Sequence, residues 1–355
     1  MDLTQNFALP VPGIMVPAYA LTIEGAALPA PLLRSILSVG VTQVANKPAS
    51  FSLQINDPTL TLVDAVDGLF AEGRKVGIAM GYVGKLQPVI AGEITSISVE
   101  LGESGGLTLG VEGFDGLHAG SRGTRYREFR EGLTDSAIVQ QIAGDLQLGA
   151  TVDPTGPRSD RRVQSNVSDL DYLQELTAAN DYQLWVENGI LFFKRVRSAP
   201  QVTVARGRDL ISFSARLNTA GHVSAVEVRG WDAGQKQAFS ARASISQAQD
   251  YVSRLSLTGQ AQIAGAANSA RVIYADGAVR TIDEAQRLAD ASLAEQRRNQ
   301  LSAEGSAVGN PDIRVGSTLL LANLGRFSSR YIVERAQHTI DQGGYRTSFE
   351  MRQQP

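Results

Sequence analysis

Apolar and polar positions alternate along this chain in two rhythms, and the switches between them mark out its elements. Ser50–Ile55 sets Phe51, Leu53 and Ile55 on one side, and Lys75–Tyr82 does the same with Val76, Ile78, Met80 and Tyr82. Period-two alternation of this kind predicts half-buried strands. Further strands are expected over Leu32–Val44, Val89–Ile94, Ser96–Leu101 and Leu107–Phe114. After a helical middle stretch the rhythm returns at Gln201–Ala205, Leu210–Leu217 and His222–Trp231, and again through Asn310–Leu321, Tyr331–Glu334 and Gln337–Met351. The second rhythm is helical. Thr134 caps a run with Ile138, Ile142 and Leu146 on one face and Val139 beside them. Thr281-Ile-Asp-Glu284 is a capping box opening a run with Ala285, Leu288, Ala289 and Leu293 aligned.

Gln164–Phe193 is the stretch the rest is organised around. Ser168 caps a helix, Asp171 three residues on completes the box, and Leu170, Tyr172, Leu173 and Leu176 form the apolar stripe. Asn180-Asp181 ends it. Tyr182–Val186 and Ile190–Phe193 then flank Glu187-Asn188-Gly189, a hairpin signal because Asn-Gly favours positive φ.

Composition narrows the picture. A chain of 355 residues with 43% hydrophobic content can bury the cores of two or three domains, and 35 glycines suit many short strands and turns. Prolines 10, 12, 17, 29 and 31 make the first 31 residues an arm with a brief strand at Ala18–Ile23. Leu60–Phe70 reads as a short helix or an irregular link, Gly102–Gly106 as a hairpin turn, and Ser240–Gly277 as a weakly periodic excursion or assembly contact. The formal net charge of -3 gives no electrostatic footprint for nucleic acid. Arg158–Arg162 is a solvated loop, and Arg122–Arg130 reads as a strand whose arginine stems lie on an assembly surface rather than as a basic-aromatic nucleic-acid patch. The absence of cysteine excludes disulfides and thiolate metal sites. The N-terminus has no secretory pattern, and no apolar run is long enough to span a membrane.

Chemistry is sparse. His118, His222 and His338 lack a second histidine at metal spacing, and there is no nucleophile elbow or phosphate-binding glycine loop. Asp169, Asp171 and Glu175 are candidate paired carboxylates, yet Asp171 serves the helix cap and Glu175 faces outward. No catalytic, cofactor-binding or metal-binding residue is assigned.

The segments nonetheless occur in a telling order. A Gln164-x-Asn-x-Ser-Asp lead into the Tyr172-Leu helix, Val-Glu-Gly-Phe-Asp-Gly-Leu at 111–117 and Thr134-Asp-Ser-x-Ile-Val resemble phage tail hub proteins. So do Val-x-Val-x-Gly-Trp-Asp at 226–232 and His338-Thr-Ile-Asp before Gly-Gly-Tyr-x-Thr. That family includes the late control gene D protein of contractile phages and the hub part of type VI secretion spike proteins. The resemblance implies an α+β, mainly β chain: two tube-like antiparallel β-barrels separated by a small α+β domain. The expected boundaries are 1–117, 118–200 and 201–355, with a helical segment inserted at about 243–300.

It also implies no enzyme and no cofactor, but a homotrimeric symmetry adapter. Its partners would be a separate spike protein, since the chain ends soon after the second barrel, an inner tube or tube-initiator protein, and other baseplate proteins. DNA or cargo would pass through the lumen without stable nucleic-acid binding. Assembly would begin in the bacterial cytoplasm and end in the baseplate of a virion or injection particle. Two other classes stay open: the hub of a non-contractile tail tip and a tail-associated cell-wall hydrolase.

Overall fold

The computed structural model describes residues 15–58, 62, 68–102, 106–156, 162–195, 201–217, 224–232, 235–244, 270–274, 279, 281–298 and 301–353. The chain opens with β1 (Pro17–Ile23), β2 (Ala26–Ala27), α1 (Ala30–Ser35), β3 (Ile36–Val44), β4 (Ser50–Asn56), β5 (Lys75–Tyr82), β6 (Lys85–Leu101) and β7 (Leu107–Asp115). The strand expected from Leu32 starts instead as a helical turn, because Pro31 in the first turn presets φ for a helix. Val89–Ile94 and Ser96–Leu101 belong to one 17-residue strand, bent by a bulge between Ile94 and Ser96. At the turn expected over Gly102–Gly106, the Gly102 amide donates to the Gly106 carbonyl at 2.9 Å, and residues 103–105 lie outside the described residues. Most of Leu60–Phe70 and the loop at Arg158–Arg161 lie outside the described residues.

The middle stretch contains β8 (Arg125–Glu128), α2 (Asp135–Asp145), β9 (Gly149–Val152), β10 (Val163–Val167), α3 (Asp169–Asn180), β11 (Tyr182–Glu187) and β12 (Ile190–Arg195). Thr134 Oγ1 accepts from the Ala137 amide, and Ser168 Oγ from the Asp171 amide. The Ser168 hydroxyl in turn donates to Asp171 Oδ2 at 2.6 Å. Asp181 ends α3 with φ 57°, and Asn188 and Gly189 turn the hairpin with φ 51° and 74°.

The last stretch runs β13 (Gln201–Ala205), β14 (Leu210–Leu217), β15 (Ala225–Asp232), β16 (Gln237–Ser244), β17 (Ala270–Tyr274), α4 (Ile282–Arg298), β18 (Leu301–Val308), β19 (Thr318–Ala322), β20 (Arg330–Asp341) and β21 (Gly344–Gln353). The core of the Ser240–Gly277 excursion, 245–269, lies outside the described residues, while its flanks are β16 and β17. The chain is thus mainly β and chiefly antiparallel. Thirteen strands join in one sheet, ordered β14-β18-β21-β20-β3-β4-β7-β6-β5-β1-β2, with β19 on β20 and β13 parallel to β19. Among the described residues no ring of strand pairs closes on itself.

One strand order occurs twice in this sheet. β3-β4-β7-β6-β5-β1 in the first half is matched by β14-β18-β21-β20-β19-β13 in the second. Two bulges agree as well: Ile36/Ser38 in β3 corresponds to Leu210/Ser212 in β14, and Ile94/Ser96 in β6 to Val333/Arg335 in β20. The outermost pair differs, since β1 is antiparallel to β5 while β13 is parallel to β19. The two repeats are joined by antiparallel pairing of β3 with β20.

Four apolar clusters lie beneath these elements. The first repeat buries Val39, Leu53, Met80, Ile94 and Val111, and takes Ile340 and Tyr345 from the second. α2, α3 and the β11–β12 hairpin enclose Ile138, Leu173, Leu184 and Phe193. The second repeat packs Val204, Leu319, Val333 and Phe349. Val226, Val228, Ala285 and Ala289 join β15 and α4. Each full burial of a Leu-sized side chain contributes about 1.5–3 kcal/mol.

Candidate functional site

Two surfaces stand out, and both follow from the alternation that makes the strands. Directly opposed pairs put Ser38, Gly40 and Thr42 of β3 on one face of the sheet with Ser52 and Gln54 of β4. Across the join, Thr42 faces Gln337, which faces Ser348, then Ser306, then Ser212. The cores lie on the other face. The result is a continuous wall of small polar side chains. Its packing is tight: a Cβ at Gly40 would sit 2.7 Å from Ser52 Oγ, and one at Gly110 2.4 Å from Ser98 Oγ. In the second repeat the wall carries an open trough of about 550 Å³ lined by Ser212, Ser214, Glu304, Arg335, Arg346 and Glu350. Small hydroxyls and opposed charges give a hydrated surface rather than a closed apolar pocket.

The second surface is the join and its counterparts. At the join, β20 presents Arg335–Ile340 to β3, with His338 opposite Val41 and Ile340 opposite Val39. His338 is fully buried, its Nδ1 3.0 Å from Tyr345 Oη and 3.2 Å from Thr347 Oγ1. Burial pushes its pKa down to about 4. At the end of β7, Asp115 accepts from the amides of Ala49 and Leu117 at 3.0 Å each, and burial pushes its carboxyl up to about 7.

The two groups respond to acid in opposite senses. Between its ordinary value and about 4, native His338 binds fewer protons than the unfolded chain, so its contribution is lost as pH falls through that window. Asp115, with a raised folded pKa, favours the native state more as pH falls through about 7. Comparing the wild type with His338→Gln isolates the histidine. Its stability advantage is expected to shrink steadily from pH 6.5 to pH 4, read as the difference between the two melting curves. An advantage that is independent of pH would contradict this.

The strands equivalent to β3 and β20 are exposed. Val99 and Leu101 of β6 are 45% and 71% exposed, whereas His338 and Ile340, at the equivalent positions of β20, are 0% and 7% exposed. Among the described residues nothing pairs along the outer edge of Ser96–Leu101 in β6, nor along that of Ser212–Leu217 in β14. Alternation identified both strands. It did not show that their edges are bare.

The other residues singled out from sequence serve structure. Asp169 is buried and bound by Arg125, Arg127 and Gln164, so it is not half of a carboxylate pair. Glu175 is exposed, 3.8 Å from Arg162. His118 stacks on Phe114, and His222 lies outside the described residues. Within Arg122–Arg130, read from sequence as surface stems, Arg122 and Arg125 lie at the surface while bonding Glu93 and Asp169. Arg127 departs from that reading: it is largely buried and bonds Asp145 and Asp169 within the fold. Among the described residues no group of three acidic or imidazole side chains could hold a metal, and no helix is long and apolar enough to cross a membrane.

A family model described as the Alg8 N-terminal domain matches residues 15–342, nearly the whole chain. The chain belongs to that family. No curated protein matches its sequence. Solved structures match its fold. A 43 kDa tail protein of prophage MuSo2 from Shewanella oneidensis is similar at 14% identity with a TM-score of 0.69, over 95% of this chain and 98% of that one. A tail protein from Neisseria meningitidis MC58 is similar at 12% identity and TM-score 0.68, over 95% and 97%. An Escherichia coli type VI secretion component, described as structurally similar to the T4 bacteriophage tail proteins gp27 and gp5, follows at 10% and 0.60, over 94% and 77%. This Alg8 N-terminal domain family member therefore has a fold shared with phage tail proteins.

Proposed function

We propose that this chain is a structural hub of a phage tail or contractile injection baseplate, not an enzyme. Three copies close a ring that joins a sixfold inner tube to a threefold central spike and lines the channel between them. The observation that carries this reading is the doubled strand order. Two similar repeats per chain present six similar walls in a trimer, which meets sixfold symmetry on one side and threefold on the other. The small polar face suits a hydrated channel wall, through which DNA or cargo passes without being held. On this reading 1–117 and 201–355 are the two tube-forming units and 118–200 the spacer. A separate spike protein, the tube or its initiator, and other baseplate proteins are the partners, and the protein works within the virion or injection particle.

The test is mass in solution, alone and with the candidate spike protein. The expected result is a species of three times 37.9 kDa, or a 3:3 complex with spike. A strict monomer that ignores both spike and tube would overturn the hub reading.

A further inference from the structure

Each repeat has one strand in the position of β3 and one in the position of β20, but the chain uses only one of each. β14 stands where β3 stands, and the second half of β6 stands where Arg335–Ile340 of β20 stands. We infer that the bare edge of β14 pairs with the bare edge of β6 in a second copy, antiparallel and in the register that β3 and β20 use within one chain. This rests on the ring reading above and names its seam.

The register follows from the matching bulges. Since His338 faces Val41 and Thr339 faces Gly40, Val99 comes opposite Ala215 and Glu100 opposite Ser214. By the same count Leu101 comes opposite Phe213 and Ser98 opposite Arg216. The chemistry is complementary. On the core side, exposed Val99 and Leu101 meet Ala215 and Phe213, both only partly buried. On the polar side Arg216 lies diagonal to Glu100, a favourable cross-strand arrangement. A long apolar edge left open invites pairing with another chain. Here the two edges differ, so the contact is head-to-tail: each copy offers β14 to one neighbour and β6 to the other, and the chain of contacts closes as a ring. The occupant is a second copy of this chain because the intrachain join already displays the same contact.

The lack of cysteine makes the test clean. Val99→Cys with Ala215→Cys forms one double variant, and Glu100→Cys with Ser214→Cys the other. Neighbouring antiparallel pairs alternate between wide and narrow spacing, so one of the two suits a disulfide. Under oxidation that variant is expected to give covalent oligomers ending in a closed ring. Single-cysteine variants give none, since a head-to-tail contact sets no residue against itself. Leu101→Lys is expected to weaken assembly about tenfold or more with the melting temperature of the isolated chain unchanged. If the unmodified protein forms the ring but neither double variant cross-links and Leu101→Lys assembles normally, this seam is wrong while the hub reading stands. If the protein remains monomeric with spike present, both fall.

Discussion

Replacing Arg127 with methionine is expected to cost about 3–5 kcal/mol of stability in the unit built on α2 and α3, the range for stranding one partner of a buried ion pair. The Arg127 side chain is 17% exposed and its partner Asp169 only 3%. Its Nε also donates to Gln164 Oε1 at 2.9 Å, and Gln164 is fully buried and donates in turn to Asp169 and the Val167 carbonyl. Methionine retains the apolar stem but leaves Asp169 with Gln164 and the half-exposed Arg125, and leaves the glutamine carbonyl without its donor. Arg125→Met provides the contrast: its side chain is 48% exposed, so a loss of about 1 kcal/mol or less is expected. Urea midpoints for the two variants check the ordering. Adding Asp169→Asn to Arg127→Met should recover part of the loss, because the stranded charge goes with it. Equal effects from Arg125 and Arg127 would show that the buried network is not what holds β8 and β10 to α3.

Gly113→Ala carries the second large effect. The glycine lies in β7, opposite Phe51 of β4 and Ile94 of β6 at the bulge. A Cβ there would sit 2.1 Å from the Glu93 carbonyl oxygen and 2.5 Å from the Phe51 ring. Neither can yield: one is backbone within the ladder, and the other is a 2%-exposed core ring. A loss of about 3 kcal/mol or more is expected, at the top of the range for overpacked cores. Gly106→Ala, whose Cβ meets nothing within 4 Å, should change stability by about 0.5 kcal/mol or less. Thermal unfolding of both variants decides the matter. A tolerated Gly113→Ala would mean that β6 and β7 adjust their register easily, and the seam geometry built on that register would lose its footing.

What could be read from sequence was local. Ser168, Thr134 and Thr281 bond to amides three residues away, and Asn188-Gly189 turns its hairpin at positive φ. Such signals carry their own geometry, so the helices, the hairpin and most strands were legible. The remainder depends on partners far along the chain. Arg127 and Asp169 are separated by β9, β10 and α2, and nothing in the arginine-aromatic run names its acid. The doubled strand order is invisible at the level of residues: Val99 corresponds to His338, and Leu53 to Gly305. From β3 through β6 and from β14 through β20, backbone pairing and bulge position are shared while side chains are not, because a sheet's hydrogen bonds do not depend on residue identity. Exposure of the β6 and β14 edges likewise emerges only when the whole sheet is in view.

The join between β3 and β20 also sets a timetable for synthesis. β3 leaves the ribosome with the first repeat, but its partner in β20 follows nearly three hundred residues later. At roughly 5–20 residues per second, that is an interval of roughly 15–60 s during which the first repeat is folded on one side and open on the other. The open edge is the one that recognises a β20-like strand, and every neighbouring nascent chain soon presents its own. Crowded translation on one message therefore favours exchange of β20 between chains, whereas well-spaced translation favours capture of each chain's own strand.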